Sequence, residues 1–149
     1  MRRPDAQQIG DLVVHAAKTG AAHPPLGNRH PARAPQGCYP CAGEDRWAVI
    51  SVGTDEEWDG LVRAMGSPAW AADERFATIP GRRAHHDELD GLIAEWTREL
   101  DPYPVFHRCQ TEGVPAGPVT NEADSYADPQ LRERGFFREI TSPHTGTHE

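Results

Sequence analysis

The chain has 149 residues with 15 basic and 23 acidic side chains, a net charge of −8 at pH 7, and a length suited to one modest hydrophobic core. Only 37% of residues are hydrophobic, mean hydropathy is −0.69, and no run approaches the roughly 20 apolar residues that span a bilayer, so a cytoplasmic protein with neither membrane span nor secretory leader is expected. Residues 1–37 carry five basic and two acidic side chains while the remainder carries ten and twenty-one, an acidic bulk that argues against nucleic acid as a partner.

Ile9, Leu12, Val13 and Ala16 recur at helical spacing, with Asp5 as N-cap and Gly20 as stop. Residues 21–37 contain Pro24, Pro25, Pro31 and Pro35 with Gly27 and Gly37, which excludes helix and central strand and leaves an ordered loop or a linker. A hairpin follows, residues 38–41 and 47–52, joined by the polar turn at 42–45. Trp47, Ala48, Val49, Ile50 and Val52 are apolar on both faces, so the second strand is expected to be central.

Thr54 and Glu57 form a T-x-x-E capping box ahead of Trp58, Leu61, Val62 and Met65, and Gly66 supplies the stop. Ser67 and Pro68 read as N-cap and first residue of a short turn leading to Phe76. Residues 82–100 form the longest helical pattern, with Leu89, Leu92, Ile93, Trp96 and Leu100 on one stripe. Asp101 and Pro102 end it and open another helix, which turns Val105, Phe106 and Cys109 inward and stops at Gly113. Residues 114–120 are extended, at a sheet edge or in a loop; Asp128 and Pro129 open a last short helix closing at Gly135, and residues 136–141 read as a returning strand. The order predicts an α+β fold: a small antiparallel sheet with a helical block.

Motifs for chemistry are sparse. Cys38-Tyr39-Pro40-Cys41 has C-x-x-C spacing, but a redox pair needs a helix N-terminus at its first thiol, and here a hairpin turn follows. Zinc needs two further ligands, and His107 and Cys109 stand at no common spacing. Two small buried residues are the expectation, and three cysteines fit a reducing compartment. His85 and His86, adjacent on a helix, diverge by about 100°, and no metal site is expected. No G-x-S-x-G, Walker or G-x-G-x-x-G motif occurs. Asp87, Glu88, Asp90 and Glu95 read as a solvated helix face.

The loop Gly27-Asn28-Arg29-His30-Pro31, then Ala34-Pro35-Gln36-Gly37-Cys38-Tyr39 and Trp47-Ala48-Val49-Ile50-Ser51-Val52, resembles the family III CoA-transferases. This CaiB/BaiF family includes formyl-CoA and carnitine-CoA transferases and α-methylacyl-CoA racemases. The resemblance continues in order through Met65-Gly66-Ser67-Pro68-Ala69-Trp70, Asp73-Glu74-Arg75-Phe76-Ala77-Thr78, Arg83, Leu89, Trp96-Thr97, Gly113-Val114-Pro115-Ala116-Gly117-Pro118-Val119, Asp128-Pro129-Gln130-Leu131 and Arg134-Gly135-Phe136-Phe137. Members are longer, with a Rossmann-like domain that holds most of the CoA site and the catalytic aspartate. The expectation is an isolated small domain: a helix at 1–20 that is a linker or large-domain remnant, a Pro/Gly-rich loop at 21–37 and a small α+β domain at 38–149. No aspartate here matches the catalytic position, so the segment is expected to be inactive alone.

The resemblance implies a carboxylate attacking an acyl-CoA thioester to give a mixed anhydride and CoA thiolate, after which CoA passes to a second carboxylic acid. Racemase members abstract a proton beside the thioester carbonyl, and a non-catalytic CoA- or protein-binding module is the alternative from another class. The coenzyme A thioester is substrate, no cofactor is held tightly, and full-length members form interlocked homodimers. The loop aligned with the mobile glycine-rich lid of formyl-CoA transferase comprises Gly27, Asn28, Arg29, His30, Arg33 and Gly37. Prolines and two arginines replace consecutive glycines there, implying a stiffer lid. Arg29 or Arg33 meets a substrate carboxylate or CoA phosphate, or pairs with acids of the family's large domain or stands in water.

Overall fold

The computed structural model describes residues 10–22 and 25–148. The expected N-cap Asp5, together with Ile9 and Pro24, lies outside the described residues. Helix α1, Gly10–Thr19, buries none of its residues and closes at Gly20, whose positive φ of 69° brings its N–H to the Ala16 carbonyl at 2.9 Å.

Strands β1 (Gln36–Pro40) and β2 (Trp47–Ser51) pair antiparallel from Gln36 opposite Ser51 to Pro40 opposite Trp47. Strand β3, Ala116–Val119, pairs antiparallel with the other side of β2, giving the order β1-β2-β3. The extended stretch at 114–120 is thus a sheet edge, and β2 is central. The expectation of two covered faces fails, however: Ala48 and Ile50 are buried, whereas Trp47 is 36% and Val49 43% exposed. Side chains alternate along a strand, and the helices contribute their apolar residues to the Tyr39, Ala48 and Ile50 side of the sheet.

Helix α2, Asp55–Ala64, begins as its sequence dictates. Thr54 Oγ1 accepts from the Glu57 N–H at 3.1 Å, while the Glu57 carboxylate reaches one residue further back than a capping box requires and accepts from Gly53 N–H at 2.6 Å. It ends in a Schellman closure, Ser67 N–H to Val62 O and Gly66 N–H to Arg63 O, both 2.9 Å. Ser67, at φ 55°, is consumed by that closure. Pro68 therefore takes the cap position of the 3-10 turn Ala69–Ala72, without a side-chain bond, and Asp73 caps the turn Glu74–Phe76.

The long helix expected at 82–100 is two helices, α3 at Ile79–Ala84 and α4 at His86–Thr97. Thr78 caps the first, accepting from Gly81 N–H at 3.3 Å, with Pro80 in its first turn, a start the stripe of leucines obscured. The chain bends at His85 (φ −113°, ψ 28°). Helix α5, Pro102–Thr111, is capped by Asp101 and buries Val105 and Cys109; Phe106 stays half-buried. It ends at Gly113 with the same Schellman pattern. Gly60 of α2 faces this end, where an added Cβ would stand 2.5 Å from the Glu112 carbonyl oxygen. The core beneath the sheet joins Trp58 and Leu61 of α2, Phe76, Leu89 and Ile93 of α4, and Val105 and Cys109 of α5.

Helix α6, Glu122–Ala127, carries a full capping box between Asn121 and Asp124, a signal the sequence reading passed over. Helix α7, Pro129–Glu133, starts at Asp128 as expected and closes at Gly135. The returning strand does not return. Strand β4, Ile140–Ser142, pairs with β5, Gly146–His148, in a separate hairpin, because Gly146 at φ 83° lets the segment fold on itself; Phe136 and Ile140 are 69% and 70% exposed.

Candidate functional site

The loop leading into β1 is an ordered structure. A turn at Gly27 (φ 60°) brings Arg29 N–H to the Leu26 carbonyl at 3.1 Å. His30 Nδ1 accepts from Ala32 N–H at 3.1 Å, and Arg33 N–H reaches the His30 carbonyl. Ala34 and Pro35, joined by a cis peptide, extend the ladder: Ala34 N–H to Val52 O and Val52 N–H to Pro35 O, both 2.9 Å.

Two side chains from the helical block hold this end of the loop. Arg82 of α3 is 0% exposed and spends its guanidinium on three partners: the Ala34 carbonyl at 2.9 Å, the Phe76 carbonyl at 2.8 Å and Asp55 at 2.7 Å, with the Trp58 ring 5.2 Å away. A buried guanidinium is tolerable only when so matched. One turn on, His86 of α4 accepts the Gln36 N–H on Nε2 at 3.1 Å. That ring is therefore the neutral Nδ1–H tautomer. Burial pushes its pKa below the ordinary histidine value, and the nearby Asp90 carboxylate only partly offsets this.

Arg29 holds the other end from the surface, meeting Asp87 at 2.5 Å and Asp90 at 2.8 Å. Bonding to Arg29 lowers the Asp87 pKa. Asp90 also accepts from the Tyr39 hydroxyl at 2.9 Å, and burial drives the Tyr39 pKa upward. The acidic face of α4 is thus partly paired rather than merely solvated; Glu88 likewise takes Arg75 at 2.8 Å. Gly37 makes room for this network, since a Cβ there would lie 2.9 Å from the Tyr39 ring.

Two cavities flank the loop and share Gly27, Asn28, Gln36 and Gly37. The first, about 520 Å³, also touches Val49, Ile50, Ser51, Pro115 and Ala116. The second, about 500 Å³, is more polar and reaches Arg29, Tyr39, Asp90 and Arg98. Of the residues singled out from sequence, Gly27, Asn28, Arg29 and Gly37 come together around these cavities. His30 and Arg33 line neither; Arg33 lies at the edge of the first, its Nη1 donating to the Ser51 hydroxyl at 3.3 Å.

Sequence reasoning missed Arg82, His86, Gln36 and Ser51. Arg83, which belongs to the family-like succession of motifs, is exposed, whereas the buried partner is Arg82; the i, i+4 spacing of Arg82 and His86 was the available signal. Cys38 is half-buried and Cys41 and Cys109 buried, all with free thiols. Burial raises the Cys41 pKa to about 11 and that of Cys109 to about 12, so neither supplies a thiolate at neutral pH. Among the described residues no group of three histidines, cysteines or carboxylates is placed to hold a metal ion, and no helix is long and apolar enough to cross a membrane.

The sequence model of CoA-transferase family III matches residues 6–149. A probable CoA-transferase of Mycobacterium tuberculosis is 39% identical over 76% of this chain and 14% of its own length. Succinate–glutarate CoA-transferase of Agrobacterium fabrum is 36% identical over 74% of the chain and 27% of its own. Succinyl-CoA–D-citramalate CoA-transferase of Chloroflexus aurantiacus is 35% identical over 91% and 33%. The chain thus spans a third or less of each of these relatives. In structure it superposes on a CaiB/BaiF family protein from Brucella suis with a TM-score of 0.77 at 30% identity, covering 91% of this chain and 35% of that one.

Proposed function

This chain belongs to CoA-transferase family III, and from that premise we propose that it serves the transfer of CoA between an acyl-CoA thioester and a carboxylic acid. The observation that carries the reading is the loop from Gly27 to Gly37, fastened at both ends and set between two cavities. It is the wall that covers the reacting groups. The relatives quoted above are named as transferases, two of them for dicarboxylic acids, which favours transfer over racemisation and a dicarboxylate as substrate.

The attacking carboxylate comes from elsewhere in the family's longer architecture. Asp90, the acid beside the polar cavity, is engaged by Arg29 and Tyr39, and no acid among the described residues lines the other cavity. The open sheet face around Trp47, Val49 and Val119 is where the large domain of an interlocked, cytoplasmic homodimer packs. The test is turnover by this chain with succinyl-CoA and glutarate: no transfer is expected, and product formed by it would overturn the division of labour. Racemisation of a chiral 2-methylacyl-CoA would replace the transfer reading.

A further inference from the structure

Arg29 and Arg33 are the two cations of the covering loop, and the structure separates their roles. Arg29 is spent on Asp87 and Asp90. Arg33 has no carboxylate within 4 Å among the described residues, yet it is half-buried, unlike the exposed Arg83, Arg98, Arg108, Arg134 and Arg138. Its guanidinium is held in place. Nη1 donates to Ser51 Oγ, the Ser51 hydroxyl donates to Gln36 Oε1 at 3.0 Å, and Gln36 Nε2 donates to the Asn28 carbonyl at 3.1 Å.

Gly53 completes the setting. A Cβ at this position would stand 2.9 Å from Arg33 Nη1 and 3.1 Å from Cζ, so the absent side chain leaves the space that the guanidinium occupies. The Glu57 carboxylate, close by, accepts from the Gly53 N–H at 2.6 Å and stands more than 4 Å from the Arg33 nitrogens. The guanidinium fork therefore retains N–H donors beside a cavity that Ser51 and Gln36 line, and a planar fork matches a carboxylate in two places at once.

We propose that Arg33, seated between Ser51 and Gly53, is a carboxylate-binding residue that selects substrates carrying a second carboxylate; the identity of the substrate rests on the CoA-transfer reading. A carboxylate bound there replaces water at the free N–H groups. A monocarboxylic substrate whose single carboxylate is consumed in the thioester leaves them unmatched, the kind of loss on which polar specificity is built.

The test titrates the nitrogen-15-labelled chain with succinate at constant ionic strength, following the arginine Nε resonances and the amides of Ser51 and Gly53. Saturable shifts confined to Arg33, Ser51 and Gly53 are expected. Arg33→Met should weaken binding at least tenfold, and Arg134→Ala, at an exposed arginine outside the loop, should leave it unchanged. Gly53→Ala should weaken it as strongly while keeping the dispersed spectrum of the folded chain, because φ at 53 is not positive and the group displaced is the far end of a flexible side chain. Absence of saturable shifts, shifts unaltered in Arg33→Met, or displacement of succinate by a lower concentration of inorganic phosphate would overturn the assignment. A chain that racemises acyl-CoA yet binds succinate at Arg33 keeps the subsite and loses the transfer reading. Loss of binding in a chain that behaves as proposed toward CoA thioesters loses the subsite alone.

Discussion

The loop from Gly27 to Gly37 is tied to the helical block by two arginines, at Ala34 from within the core and at Arg29 from the surface. Both meet oxygen at 2.5 to 2.9 Å. They are not equivalent. Arg82 is withdrawn from water and its three partners replace hydration it cannot recover, whereas the Arg29 side chain is 43% exposed and Asp87 92%. Distance alone does not rank an ion pair; the cost of leaving its partner unmatched does.

Arg82→Met removes the buried tie outright. It empties the guanidinium site and orphans the Ala34 and Phe76 carbonyls, so destabilisation of about 3–5 kcal/mol is expected in denaturant unfolding. A loss under about 1 kcal/mol would show the buried tie to be no stronger than the exposed one.

His86→Gln tests the second buried tie. Its main effect lies in pH dependence, because the folded histidine holds its proton less tightly than the unfolded one. Below the ordinary histidine pKa of about 6.5 the unfolded chain binds the additional proton, so His86 contributes stability above that pH and loses it as pH falls through the depressed folded value. Protonation also removes the acceptor for Gln36 N–H. Unfolding measured from pH 7.5 to 5 should fall less steeply with acid in His86→Gln than in the wild type. Equal slopes would mean that His86 does not carry the dependence.

Arg29→Ala is the smallest expected effect, at most about 1 kcal/mol and reduced further by salt. Amide exchange should sharpen the contrast: Ala34 and Gln36 exchange slowly in both proteins, and Arg29 itself rapidly. If Arg29→Ala instead loosened Ala34, the two ties would be one cooperative unit.

What was legible in the sequence was what is decided within one or two turns of chain. Thr54 with Gly66, Asp101 with Gly113 and Asp128 with Gly135 each announce a helix through groups that bond within five residues, and they start and end where those residues stand. The family resemblance rested on such short motifs in order. Arg82 was illegible because its Ala34 partner is 48 residues away, and an arginine opening a helical pattern reads as solvated until a carbonyl is brought to it. The bend at His85 has no proline or glycine to mark it. The strand expected after Gly135 had a fitting composition, but pairing is chosen by which edge is available, and Gly146 offered a nearer one. At the candidate site, the glycines and Arg29 could be picked from the loop's own composition, whereas Ser51 and Gly53, which position Arg33, belong to the far side of a strand pairing.

The contact at Gly60 bears on which sequences this fold admits. With the Glu112 carbonyl 2.5 Å from the place of a Cβ, even alanine drives its methyl group into backbone, and neighbouring side chains cannot relieve it. Gly91, in the middle of α4, meets nothing within 4 Å, and alanine there should raise stability by about 0.5–1 kcal/mol. A saturation library sorted for folding should therefore return glycine alone at 60 and a broad alphabet at 91. Two glycines of equal helical standing thus sit at opposite ends of mutational tolerance, one fixed by a distant turn and the other free to drift.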